Sequence, residues 1–98
     1  MQLDVKPFRA DCTDKDAAKK VVEEAAEVFS AWETLSRSAV LDGIGFNPHI
    51  EWRTAALADE LADCITACAN LAERYGLDLQ AALDRVERRN RERGRYDG

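Results

Sequence analysis

The sequence predicts an all-α protein, and three observations carry that expectation. Ala, Glu, Arg and Leu dominate a chain that is 46% hydrophobic and 34% charged, with only five Gly and two Pro. Those abundant types are strong helix formers, and a shortage of Gly and Pro leaves few forced breaks. Apolar residues recur at three- and four-residue steps, the period of one helix face and not of a strand. Cap-forming residues stand where those periodic stretches begin and end. At 98 residues the chain makes one domain, divided here into a leading arm over 1–12 and a helical domain over 13–96.

The arm has no helical period, and Leu3–Val5 is expected to be a short extended piece. Thr13 and Asp14 are N-cap residues for a first helix, with Asp16 in its opening turn. Val21, Ala25, Val28, Phe29, Trp32, Leu35, Ala39 and Val40 give it an apolar stripe over about 25 residues, a span of about 37 Å at 1.5 Å per residue. Gly43 and Gly45 stop it. Residues 42–47 form a loop, and Asn47-Pro48 supplies a cap and a first helical position. The second helix runs from about 48 to 75 on Trp52, Leu57, Leu61, Cys64, Ile65, Cys68, Leu71 and Ala72. Gly76 ends it. Asp78 caps a third helix, whose inward residues are Leu79, Ala82, Leu83 and Val86 and whose end is Gly94. Two long antiparallel helices plus a short one close poorly as a monomer. The expected architecture is a helical bundle completed by oligomerisation, a homodimer or tetramer, with Phe29, Trp32 and Trp52 filling the interface.

Charge and cysteine usage narrow the function classes. The net charge of −5 does not suit a polyanion binder. Residues 84–97 carry six Arg against four acids, while the rest of the chain sums to −7. The interspersed acids argue against nucleic acid, and one or two of these Args are better suited to phosphate capture. Cys12, Cys64 and Cys68 are odd in number, so a disulfide framework is not expected, and with His49 as the one histidine a zinc site lacks ligands. Cys64 and Cys68 read as small core residues. With no signal peptide and no apolar run near the roughly 20 residues of a membrane span, the expectation is a cytoplasmic protein with no membrane partner.

The acids are the informative residues. Glu24 and Glu27 are one turn apart on the first helix, and Glu60 and Asp63 have the same relation on the second. If the two helices pack antiparallel, the pairs can face each other and bring the four carboxylates together. Either run alone is usually a solvated face. Both, on adjacent helices among Val21, Val28, Leu57, Leu61 and Ile65, point inward. Facing carboxylates repel and are costly to desolvate without a cation. Mg²⁺ or Mn²⁺ held with a polyphosphate suits that donor set. Asn70, two turns beyond Asp63, adds a neutral donor and acceptor to the same face.

Glu23-Glu24-x-x-Glu27 followed by Glu60-x-x-Asp63 resembles the EExxE…ExxD signature of the MazG-like all-α NTP pyrophosphohydrolases. Residues 59–72 look like that family's second core helix, and Arg89-Asn90-Arg91-Glu92-Arg93-Gly94 resembles its closing segment. The similarity covers roughly 17–96. It implies a Mg²⁺-dependent enzyme (Mn²⁺ as a substitute) that splits a nucleoside triphosphate into a monophosphate and pyrophosphate, in nucleotide house-cleaning or pool control. It implies Glu24, Glu27, Glu60 and Asp63 as metal ligands and catalytic acids. Glu23, Asn70, Arg89, Asn90 and Arg93 become substrate contacts. The competing expectation is a non-catalytic helical dimerisation or regulatory module whose acids only solubilise it. Trp32, Trp52, Phe46 and His49 read as interface, loop or solvent residues before base contacts.

Overall fold

The computed structural model describes the backbone of residues 1–41 and 49–98, and the side chains of 1–38 and 51–98. The predicted stop at Gly43 and Gly45, the Asn47-Pro48 cap, Phe46 and the side chain of His49 lie outside the described residues. Three helices follow the arm: α1 over Asp14–Leu41, α2 over His49–Arg74 and α3 over Leu79–Glu92. No strand occurs among the described residues, and the piece at Leu3–Val5 pairs with nothing.

Local chemistry sets the helix ends. Thr13 Oγ1 accepts from the Asp16 amide at 3.1 Å, and Asp78 Oδ1 accepts from the Ala81 amide at 3.0 Å, each relieving an orphan donor of a first turn. α2 closes with Leu77 N–H donating to Ala72 O (3.0 Å) and Gly76 N–H to Glu73 O (3.1 Å). That paired closure needs a left-handed residue, supplied by Gly76 at φ +62°.

The pairing of α1 with α2 is antiparallel: Asp14 at the start of α1 bonds Arg74 at the end of α2, and Glu24 meets Glu60 further along. The α1 seam reads Ala17, Val21, Glu24, Val28, Ala31, Leu35 and Ser38, every one buried or half-buried. Its α2 counterpart reads Arg53, Leu57, Glu60, Cys64, Ala67, Leu71 and Arg74, likewise. Both keep the alternating four-and-three spacing of helices packed along their length. Small residues at Ala17, Ala67, Ala69 and Ala72 are the buried apolar ones. Ser38, 2% exposed, satisfies its hydroxyl on Thr34 O at 2.9 Å.

The stripe expected for α2 is thereby split. Leu57, Cys64 and Leu71 face α1, while Trp52, Leu61, Ile65 and Cys68 are exposed. Cys68 is thus not a core residue of this chain. Phe29 and Trp32 also face outward, their ring centroids 5.7 Å apart. On α3 no residue is buried, and Leu79, Leu83 and Val86 remain exposed. The chain exposes 8011 Å², against about 5,600 Å² for a compact monomer of this mass. Its radius of gyration is 16.9 Å, against about 13 Å for a compact domain of this length.

Candidate metal centre and its cleft

In each seam one position that packing would give to an apolar side chain holds a glutamate. Glu24 follows Val21 and precedes Val28 on the buried side of α1 and is 6% exposed. Glu60 sits between Leu57 and Cys64 on α2 and is half-buried. Asp63, one turn further along α2, projects from the seam edge. Ligand oxygens of Glu24, Glu60 and Asp63 all lie within 4.8 Å of one another. Glu24 Oε2 and Glu60 Oε2 are buried with no hydrogen-bond partner.

Two buried, unsatisfied carboxylate oxygens facing a third acid are costly in a protein interior. A hard divalent cation, which takes oxygen donors, meets that need. The donor set therefore fits Mg²⁺ or Mn²⁺ and fits a soft-ligand metal poorly. Glu27, exposed at the same level of α1, reaches Glu60 and Glu24. Its hydrogen bond with Glu60 first, and that with Glu24 next, hold its carboxyl above the ordinary value of 4.5. Like charges crowded together retain a proton that separated ones would release. Lys20 Nζ lies 3.0 Å from Glu24 Oε1, and this bond raises the ammonium above its usual value.

Beside the acids opens a cleft of about 480 Å³. Asp16, Lys19, Lys20, Glu23 and Glu24 line it from α1; Asp63, Thr66, Ala67 and Asn70 line it from α2. Phe8, Ala10 and Cys12 of the arm form the remaining wall. The arm is tied there from α2. Phe8 N–H donates to Asn70 Oδ1 at 2.7 Å. Arg74 donates to Ala10 O at 3.2 Å, to Cys12 O at 2.6 Å and to Asp14 Oδ1 at 2.9 Å. The Asn70 oxygen accepts from Phe8, so what Asn70 has left to offer at the cleft wall is its amide N–H groups.

Of the acids picked from sequence, Glu24, Glu60 and Asp63 form one donor group, Glu27 borders it, and Glu23 lines the cleft. Asn70 is in the cleft wall. Arg89, Asn90 and Arg93 lie on or just after α3 and line no part of this cleft. Sequence reasoning passed over Lys19, Lys20, Thr66 and Phe8. The position of Lys20 four residues before Glu24 is a signal for the same helix face. Phe8 gave no signal, because its place depends on a bond to a residue 62 positions away.

Against known proteins, a family model described as phosphoribosyl-ATP pyrophosphohydrolase matches residues 5–90. No curated protein and no solved structure matches the chain.

Proposed function

Since the chain belongs to the phosphoribosyl-ATP pyrophosphohydrolase family, whose members are all-α hydrolases acting on acid anhydrides, we propose that it cleaves a nucleoside triphosphate, free or phosphoribosylated, to the monophosphate and pyrophosphate with Mg²⁺. The observation that carries this reading is the trio Glu24, Glu60 and Asp63, in which two buried oxygens have no hydrogen-bond partner, beside a cleft that Glu24, Asp63, Lys19 and Lys20 line.

Glu24, Glu60 and Asp63 would hold the ion, with Glu27 as the fourth acid. A divalent cation bound there supplies charge neutralisation for the polyphosphate and a more acidic water. The protein's own share is orientation and exclusion. The α1–α2 seam fixes Glu24 and Glu60, so little side-chain freedom remains to be lost when an ion binds. Asn70 presents its amide donors to the nucleotide, and the arm segment from Phe8 to Cys12 closes one side of the cleft against water. Glu23, exposed at the rim, contacts substrate or a bound water.

Arg89, Asn90 and Arg93 keep their proposed role as phosphate and sugar contacts, and they meet a substrate only when α3 is docked. The surface excess, the outward Phe29, Trp32 and Trp52 and the unburied α3 support a homodimer or tetramer. No helix among the described residues is long and apolar enough to cross a membrane. Three free cysteines support placement in the reducing cytoplasm.

The test is pyrophosphate release from a panel of NTPs, dNTPs and phosphoribosyl-ATP with Mg²⁺, with Asp63→Asn alongside. Release by wild type that falls at least about 100-fold in the variant is the expected result, on the scale of losing a transition-state charge contact. A folded wild type that releases nothing from any member, or a fully active Asp63→Asn, overturns the reading.

A further inference from the structure

We infer that Lys20 is a phosphate-binding residue that exchanges partners, releasing Glu24 when a divalent cation enters the acid group and taking the polyphosphate instead. The inference rests on the reading above and adds to it a residue and an order of events.

Glu24 has two oxygens with different surroundings. Oε2 is buried and unpartnered, and Oε1 is held by Lys20 at 3.0 Å. The carboxylate is nearly fully buried, whereas the Lys20 side chain is 58% exposed. The carboxylate is therefore the fixed member of the pair and the ammonium the movable one. A divalent cation at Glu24, Glu60 and Asp63 and the Lys20 ammonium are rival partners for one carboxylate, and they repel each other at that range. The lysine has somewhere else to go. Lys20 lines the cleft, with Asn70 and Thr66 across it, and its four-carbon stem lets the charge swing without backbone movement. A polyphosphate in that cleft places anionic oxygens within its sweep. Lys19 also lines the cleft but has no ion pair among the described residues, so it contributes field without exchange.

Two opposite effects follow from removing Lys20, and a merely structural lysine gives neither together. Binding of Mn²⁺ alone, followed by electron paramagnetic resonance or calorimetry, is expected to tighten about three- to tenfold in Lys20→Met, the scale of one unit charge a few ångströms away under near-aqueous screening. Binding of inorganic triphosphate at saturating Mn²⁺ is expected to weaken tenfold or more, since a charged hydrogen bond is lost. Lys20→Arg keeps the charge and is expected to recover most of the triphosphate affinity. Lys19→Met is expected to change Mn²⁺ affinity less than Lys20→Met does. Unchanged or weaker Mn²⁺ binding in Lys20→Met, unchanged triphosphate binding, or equal effects at positions 19 and 20 would overturn the exchange while leaving the metal site standing. Failure of wild type to bind Mn²⁺ at all would remove the metal site, and the exchange with it.

Discussion

Glu27 is where one proton becomes a property of the whole protein. Its carboxyl leans on Glu60 and Glu24 and binds its proton more tightly than an isolated glutamate does. A group whose pKa is raised on folding stabilises the fold fully below its ordinary value of 4.5, and that contribution is lost as pH rises through the raised value. In chelator, thermal stability is therefore expected to fall from pH 4.5 towards pH 7.5, and Glu27→Gln is expected to flatten the fall. Added Mg²⁺ is expected to restore stability at the upper pH, because the ion binds the folded chain and replaces the proton. Paired melting curves check both points. Equal slopes in wild type and variant would separate Glu27 from the acid group. The residue spacing of these acids was legible in the sequence, since i, i+3 geometry is purely local. Their apolar neighbours also pointed them inward, but which acids take packing positions was not legible: Glu24 and Glu60 do, while Glu27 and Asp63 of the same runs are exposed.

At the scale of elements, the helices were readable because their signals sit within a few residues of their effects. Thr13, Asp78, Gly76 and Gly94 each act through a hydrogen bond or a backbone angle reached within one turn. The α2 stripe was misjudged for the opposite reason. α2 has apolar residues on two faces, and periodicity alone does not say which of them meets α1. The arm was legible only as an arm. Its course is dictated by Arg74, whose guanidinium collects Ala10 O, Cys12 O and Asp14, and by Asn70. Arg74 is 9% exposed, so its loss leaves two carbonyls and a carboxylate to find water. Arg74→Met keeps most of the apolar stem and is expected to lower stability by about 1–3 kcal/mol. It is also expected to make residues 1–12 an early site of proteolysis. Denaturant titration and limited proteolysis measure the two. A variant of unchanged stability with an intact arm would show that the tie is incidental.

On the scale of the whole molecule, the single chain is under-packed. Its surface exceeds that of a compact monomer, and among the described residues the large aromatic side chains Phe29, Trp32 and Trp52 point away from the α1–α2 seam. The seam buries alanines and a serine; the tryptophans are outside. Oligomerisation was an expectation from helix length, and the exposed faces now say where it would act. Trp32→Glu is expected to weaken self-association by about 2 kcal/mol or more, roughly 30-fold in the dissociation constant, as for a central aromatic anchor. Light scattering and concentration-dependent melting measure it. A chain that is monomeric at every concentration, with wild-type activity, would remove both the assembly and the role proposed for Arg89, Asn90 and Arg93.

The bond from the Phe8 amide to Asn70 also makes one hydrogen a gauge. Nothing in the arm itself protects that amide from solvent exchange, so its slow exchange requires α2 to be in place and the arm laid against it. A ligand that leaves Asn70 Oδ1 alone keeps the gauge reading slow. One that recruits that oxygen sets the amide exchanging freely while the rest of α2 stays protected. A single resonance, followed during titration with nucleotide, therefore distinguishes a cleft filled past the arm from a cleft filled at the arm's expense.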